Sequence, residues 1–171
     1  MSTSQNWTER NAGFASKHYD PSLRIMPSLK TIVIGCVDPR VDPTDVLGLD
    51  PGEVAAIRNV GGRITPDTLD ELAMLRAVTQ AAGGDIGPGW EFVVLHHTDC
   101  GITRLQNKPE LLAAYFNVNA THLPDKAVGD PKAAVVGDVA VLRADPRLPG
   151  VTVSGLVYDV ATGRLETVVA P

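Results

Sequence analysis

The chain has 171 residues, 44% of them hydrophobic, and a net charge of −5. This length suits one domain with a real core, and the composition excludes a disordered chain. The absence of a Lys/Arg block and of any membrane-length apolar run argues against nucleic acid and membrane as partners.

The first segment, MSTSQNWTERNAGFASKHYD, is polar and lacks the apolar stretch of a signal peptide, so the expected compartment is cytoplasmic. It is predicted to form an arm or helix anchored by Trp7 and Phe14, seven residues apart. Residues 1–25 are assigned to this arm, expected to contact a partner subunit through these two aromatics, and residues 26–171 to a single α/β domain. LKTIVIGCV reads as a strand buried on both faces, because its apolar residues run without alternation. A short helix follows in DPTDVLGLDPG, then a second strand in EVAAIRNV. TPDTLDELAMLRAVTQAAGG is the clearest helix, with Thr65 as N-cap, Pro66 at its first position and Gly83-Gly84 at its end. WEFVVLHH is a third buried strand. ITRLQNKPELLAAYF is helical with a break near Pro109, and DPKAAVVGDVAVLRADP is a helix capped by Asp130. GVTVSGLVYDV and RLETVV, joined by a turn at ATG, form a closing antiparallel pair. The expected fold is therefore α/β, with a mostly parallel central β-sheet flanked by helices and a C-terminal antiparallel edge strand.

Ligands of such sheets gather at the carboxyl ends of the strands. Cys36 ends the first strand, and His97 and Cys100 follow the third. Either cysteine alone reads as a small core hydrophobe. Two cysteines and a histidine at equivalent strand ends read instead as a zinc site with one open position. His96 is the rival ligand, but at four residues from Cys100 it needs a helix where a strand end is expected. Asp38 and Arg40 complete the constellation. An extended segment projects Cys36, Asp38 and Arg40 to one side, so Arg40 can grip the Asp38 carboxylate. The bland alternative for these two is an ordinary ion pair. RNVGG reads as a turn rather than a phosphate loop, and His122 as incidental.

CVDPR followed by HTDCG resembles the Cys-x-Asp-x-Arg and His-x-x-Cys motifs of the β-class carbonic anhydrases. PGEVAAIRNVGG and SGLVYDVATGRL are similar to that family's second strand and terminal hairpin, most of all in its short, single-domain branch. The resemblance implies one Zn²⁺ per chain on Cys36, His97 and Cys100, joined by Asp38 only in a closed state. It implies a catalytic Asp38–Arg40 dyad, reversible hydration of CO₂ to bicarbonate by a zinc-bound hydroxide, and a homodimer or higher oligomer. Pro39 and His96 depart from the small residues usual at those places. The alternatives are a related zinc hydrolase acting on carbonyl sulfide or carbon disulfide, and a non-catalytic zinc-binding or redox-sensing protein.

Overall fold

A computed structural model describes residues 2–171. Its strands are β1 (Thr31–Cys36), β2 (Val54–Asn59), β3 (Glu91–His97), β4 (Thr152–Asp159) and β5 (Arg164–Val169). They form one sheet in the order β2-β1-β3-β4-β5. All neighbours pair in parallel except β4 and β5, which are antiparallel. The expected sheet and its antiparallel edge are both present, and β1 and β3 are adjacent.

The helices are α1 (Thr3–Lys17), α2 (Pro43–Leu47), α3 (Pro66–Ala81), α4 (Pro109–Phe116) and α5 (Pro131–Ala144). Their starts follow the sequence signals. The Thr65 side chain accepts the Thr68 N–H, and Asp130 accepts the Lys132 and Ala133 N–H groups. The break at Pro109 is real, since Gly101–Leu105 forms a 3₁₀ turn and α4 starts afresh after it.

The two sheet faces are covered unequally. On one, Ile32, Ile34, Phe92 and Val94 pack against Leu72 of α3 and Val135, Val139 and Leu142 of α5. On the other, Val33, Val93 and Leu95 meet Val46 and Leu47 of the short α2. At about 1.5–3 kcal/mol per large apolar side chain buried, the first face carries most of the hydrophobic stabilisation. A third cluster, with Val41, Ile102, Leu112 and Phe116, closes over the carboxyl end of the sheet around Cys36 and Cys100.

The arm expected over residues 1–25 is described from Ser2 onward. Its helix α1 opens on a capping box between Ser2 and Gln5 and buries no residue. Trp7 and Phe14 are 62% and 51% exposed, so neither anchors the arm to its own chain.

Behind the site, the turn after β2 lies directly on the ends of β1 and β3. Gly62 there has a φ of +64°, and a Cβ on it would stand 2.9 Å from the Gly35 carbonyl carbon and 3.0 Å from Cys36 N and Leu95 O. These are backbone atoms, which cannot swing aside. Gly62→Ala is therefore expected to cost about 3 kcal/mol in urea unfolding. Gly83→Ala has a similar φ of +87° but open space around it. It should cost only about 1–2 kcal/mol; equal losses would show that the close approach is unimportant.

Candidate metal centre

The parallel pairing sets Gly35 beside Leu95, which carries the ends of β1 and β3 to one rim. Cys36 and His97 end these strands, and Cys100 follows in the next turn. The Sγ atoms of Cys36 and Cys100 are 3.7 Å apart, and both cysteines are free. One ligating atom from each of Cys36, His97 and Cys100 lies within 4.8 Å of the others, and all three residues are buried.

The chemistry of this donor set fits a metal ion. The His97 Nδ1–H donates to the Thr98 carbonyl at 2.8 Å, which leaves the Nε2 lone pair free. That Nε2 is the one buried side-chain nitrogen or oxygen without a hydrogen-bond partner among the described residues. Such an orphan is costly unless something satisfies it, and here two sulfurs stand beside it. Thiolate and imidazole donors together suit zinc. The Cys36 and Cys100 sulfurs share a hydrogen bond, and the Asp38 and Gly61 N–H groups reach Cys36 Sγ at 3.4 and 3.3 Å. These contacts outweigh burial and push the Cys36 thiol well down, while the Cys100 thiol is pushed up by the thiolate it faces.

His96 points away from this cluster. Its Nε2–H donates to Gly62 O at 3.1 Å and lies 3.3 Å from Asp138 Oδ2. Strand alternation explains the difference, since neighbouring residues of β3 face opposite sides. His122 is exposed beside Asp125, 3.4 Å away, and is not among the residues whose ligating atoms converge with Cys36.

Asp38 and Arg40 do meet, but not through an extended segment. Pro39–Val41 forms a 3₁₀ turn capped by the Asp38 side chain, which accepts the Arg40 N–H at 2.9 Å. Pro39 fits the first position of such a turn, where no N–H is needed. The Arg40 fork then returns to the same carboxylate, Nη2 to Oδ2 at 2.7 Å and Nε to Oδ1 at 3.0 Å. Hydrogen bonding from Arg40 overcomes the desolvation of Asp38 and holds its carboxyl at about 2. Its Oδ2 remains 4.0 Å from His97 Nε2.

Several residues at the site escaped the sequence reading. Arg40 also donates to Asp99, through Nη1 to Oδ2 and Nη2 to the carbonyl, both at 3.0 Å. It thus ties the two cysteine motifs together. Arg58 on β2 donates to the carbonyls of Cys36 and Asp38 at 2.8 Å and pairs with Asp42. Gly61 supplies an N–H to Cys36. The available signals were a charge inside an apolar strand for Arg58 and a position between His97 and Cys100 for Asp99.

The carbonic anhydrase family profile matches residues 31–121. "Beta-carbonic anhydrase 1" of Mycobacterium tuberculosis is 28% identical over 171 residues, covering 98% of this chain and 99% of that relative. A carbon disulfide hydrolase of an Acidianus species is 29% identical, covering 78% of this chain and 74% of the relative. The crystal structure of a carbonic anhydrase from Streptococcus mutans superposes with a TM-score of 0.74 at 32% identity, over 98% of both chains. The chain belongs to the β-carbonic anhydrase family, zinc lyases that hydrate carbon dioxide.

Proposed function

We propose that this chain reversibly hydrates carbon dioxide to bicarbonate, with one zinc ion held by Cys36, His97 and Cys100. The observation that carries this reading is the convergence of two thiols on the unsatisfied Nε2 of His97, beside a carboxylate that Arg40 holds. Bound zinc supplies Lewis acidity that makes water ionisable near neutral pH.

The chain's own residues supply direction and access. Asp38 is ionised throughout the neutral range, so it accepts hydrogen bonds and does not donate a proton. It is suited to orient the O–H of a water molecule rather than to act as a general acid. Arg40 holds that carboxylate from one side and is itself tied to Asp99. Held this way, Asp38 would stay off a bound zinc ion, which Cys36, His97 and Cys100 would hold. A cavity of about 270 Å³ adjoins His97 and Cys100, with Gly61, Ile102 and Ala134 among its walls. It leaves room for a small substrate.

The similarity to a carbon disulfide hydrolase supports a second reading, hydrolysis of carbonyl sulfide or carbon disulfide. Stopped-flow CO₂ hydration on the zinc-loaded chain, run beside assays on the two sulfur substrates, separates the readings. Faster turnover of CO₂ is expected. Bound zinc with no turnover of any of the three would favour the non-catalytic alternative.

The ligand assignment predicts that zinc content collapses in His97→Ala and survives in His96→Ala, as read by metal analysis after dialysis. The opposite pattern would reverse the two roles.

The dyad predicts a different signature for Arg40→Ala. Zinc should be retained, while CO₂ hydration falls about 10²-fold or more once the carboxylate is released. A crystal structure of the variant should show Asp38 on the metal. Full activity across the pH range would reduce Arg40 to an ordinary ion-pair partner.

Self-association belongs to the same reading. Residues 2–25 are all exposed, and half or more of Trp7 and of Phe14 is left open to water. A second copy is proposed as that cover, giving a homodimer at least. Deletion of residues 1–20 should lower the sedimentation coefficient at micromolar concentration; an unchanged value would remove the arm from the assembly.

A further inference from the structure

Asp138 lies in the middle of α5, remote in sequence from every proposed ligand, and is 1% exposed. It faces Arg63, 2% exposed, with Nε to Oδ2 at 2.7 Å. A buried ion pair is a weak source of stability, because apolar side chains of similar size do as well or better. The position of its contacts points to another role. Asp138 Oδ2 also accepts the Ile64 N–H at 3.2 Å and lies 3.3 Å from His96 Nε2. The His96 N–H in turn donates to the Gly62 carbonyl. Arg63 is braced further by the Lys126 carbonyl at 2.7 Å and by the Phe116 ring, 4.8 Å from its guanidinium carbon. On the other flank, Asn59 accepts the Arg63 N–H at 2.7 Å and donates to the Arg63 carbonyl at 2.8 Å.

All these contacts grip residues 59–64, on both sides of Gly61. Gly61 has a φ of +84°, which glycine adopts without strain, and its N–H points at Cys36 Sγ from 3.3 Å. We propose that Asp138 is a positioning residue for the metal centre: through Arg63 and His96 it holds the Gly61 amide on the Cys36 sulfur. An N–H donor on a ligating thiolate withdraws electron density that the sulfur would otherwise give to the metal, which leaves the metal a stronger Lewis acid. Without the clamp, Cys36 keeps only the longer contact from Asp38 N–H. The inference rests on the zinc ligands proposed above.

The test replaces the buried pair with apolar side chains, Arg63→Met/Asp138→Leu, and loads wild type and variant with Co²⁺. The sulfur-to-cobalt charge-transfer band reports electron density on Cys36 independently of turnover. A variant that keeps its melting temperature within about 4 °C shows that stability has been preserved. Its band should move to longer wavelength, and kcat/KM of the zinc form for CO₂ should fall about 10–100-fold. An unshifted band with full activity would overturn the proposal and leave the pair a structural one. If the double variant does not fold, Arg63→Lys decides. It keeps a charge opposite Asp138 but loses the planar fork, so a smaller shift of the same sign is expected. An unshifted band there overturns the proposal equally. A wild-type chain that shows no such band on loading refutes the ligand assignment itself, and the inference with it.

Discussion

The parallel pairing of β1 with β3 is the constraint on which the site depends. Parallel neighbours end on the same rim, so one adjacency brings Cys36 to His97 across more than sixty positions of sequence. Register matters as much as adjacency. Strand side chains alternate, and a slip of one residue would turn Cys36 or His97 to the opposite face. What resists such a slip is the apolar load on both faces. Ile34 and Val94 are fully buried on one side, while Val33 and Leu95 are 1% exposed on the other. A slipped strand would have to re-house all of them. The packing that stabilises the fold is therefore also what fixes the separation of the proposed ligands.

Three arginines then shape the loops that leave those strands, and they do so under different electrostatic conditions. Arg40 is half exposed, with 48% of its side chain accessible, so its ion pairs contribute little to stability. Its value is direction, because a planar fork spanning Asp38 and Asp99 fixes both loops with one group. Arg58 is more enclosed and spends two of its donors on the carbonyls of Cys36 and Asp38. Those carbonyls lie at and just beyond the end of β1, where Arg58 supplies them with donors. Arg63 is buried outright, and its pairing with Asp138 is obligatory, since a lone charge there would be strongly destabilising. From surface to interior, the same residue type passes from holding the Asp38 carboxylate, to satisfying backbone, to anchoring the turn after β2.

This gradient also explains which features were legible in the sequence. Strands were readable because continuous apolar runs such as TIVIG and FVVL have few other uses in a chain of this length. Helix starts were readable at Thr65 and Asp130 because caps are local chemistry. The proposed ligands stood out because thiols and imidazole are scarce and sat at strand ends. The Asp38–Arg40 contact was expected, but for a mistaken reason. Alternation along an extended chain was assumed, whereas Pro39 bends the chain into a 3₁₀ turn that closes the same contact. Arg58, Gly61 and Asp138 were illegible because they act on backbone atoms distant in sequence. Their residue types are ordinary, and only the packed fold shows where their donors and acceptors point. The unequal covering of the sheet was hidden for the same reason, since periodicity shows that a helix packs but not on which face.

The arm poses the remaining physical question. Isolated helices shorter than about 12–15 residues are marginal in water, and α1 has 15 residues with no buried side chain. Its Ser2–Gln5 capping box contributes on the order of 1 kcal/mol, which Gly13 offsets by roughly the same amount. Local terms therefore nearly cancel, while Trp7 and Phe14 still present apolar surface to water. Burying each would contribute about 1.5–3 kcal/mol, more than any local term in the helix. The chain's own fold does not supply this burial, because residues 2–25 remain exposed throughout. Under the proposed self-association, ordering of α1 and pairing of subunits would reinforce one another: the helix sets Trp7 and Phe14 on one side, and covering them would stabilise it.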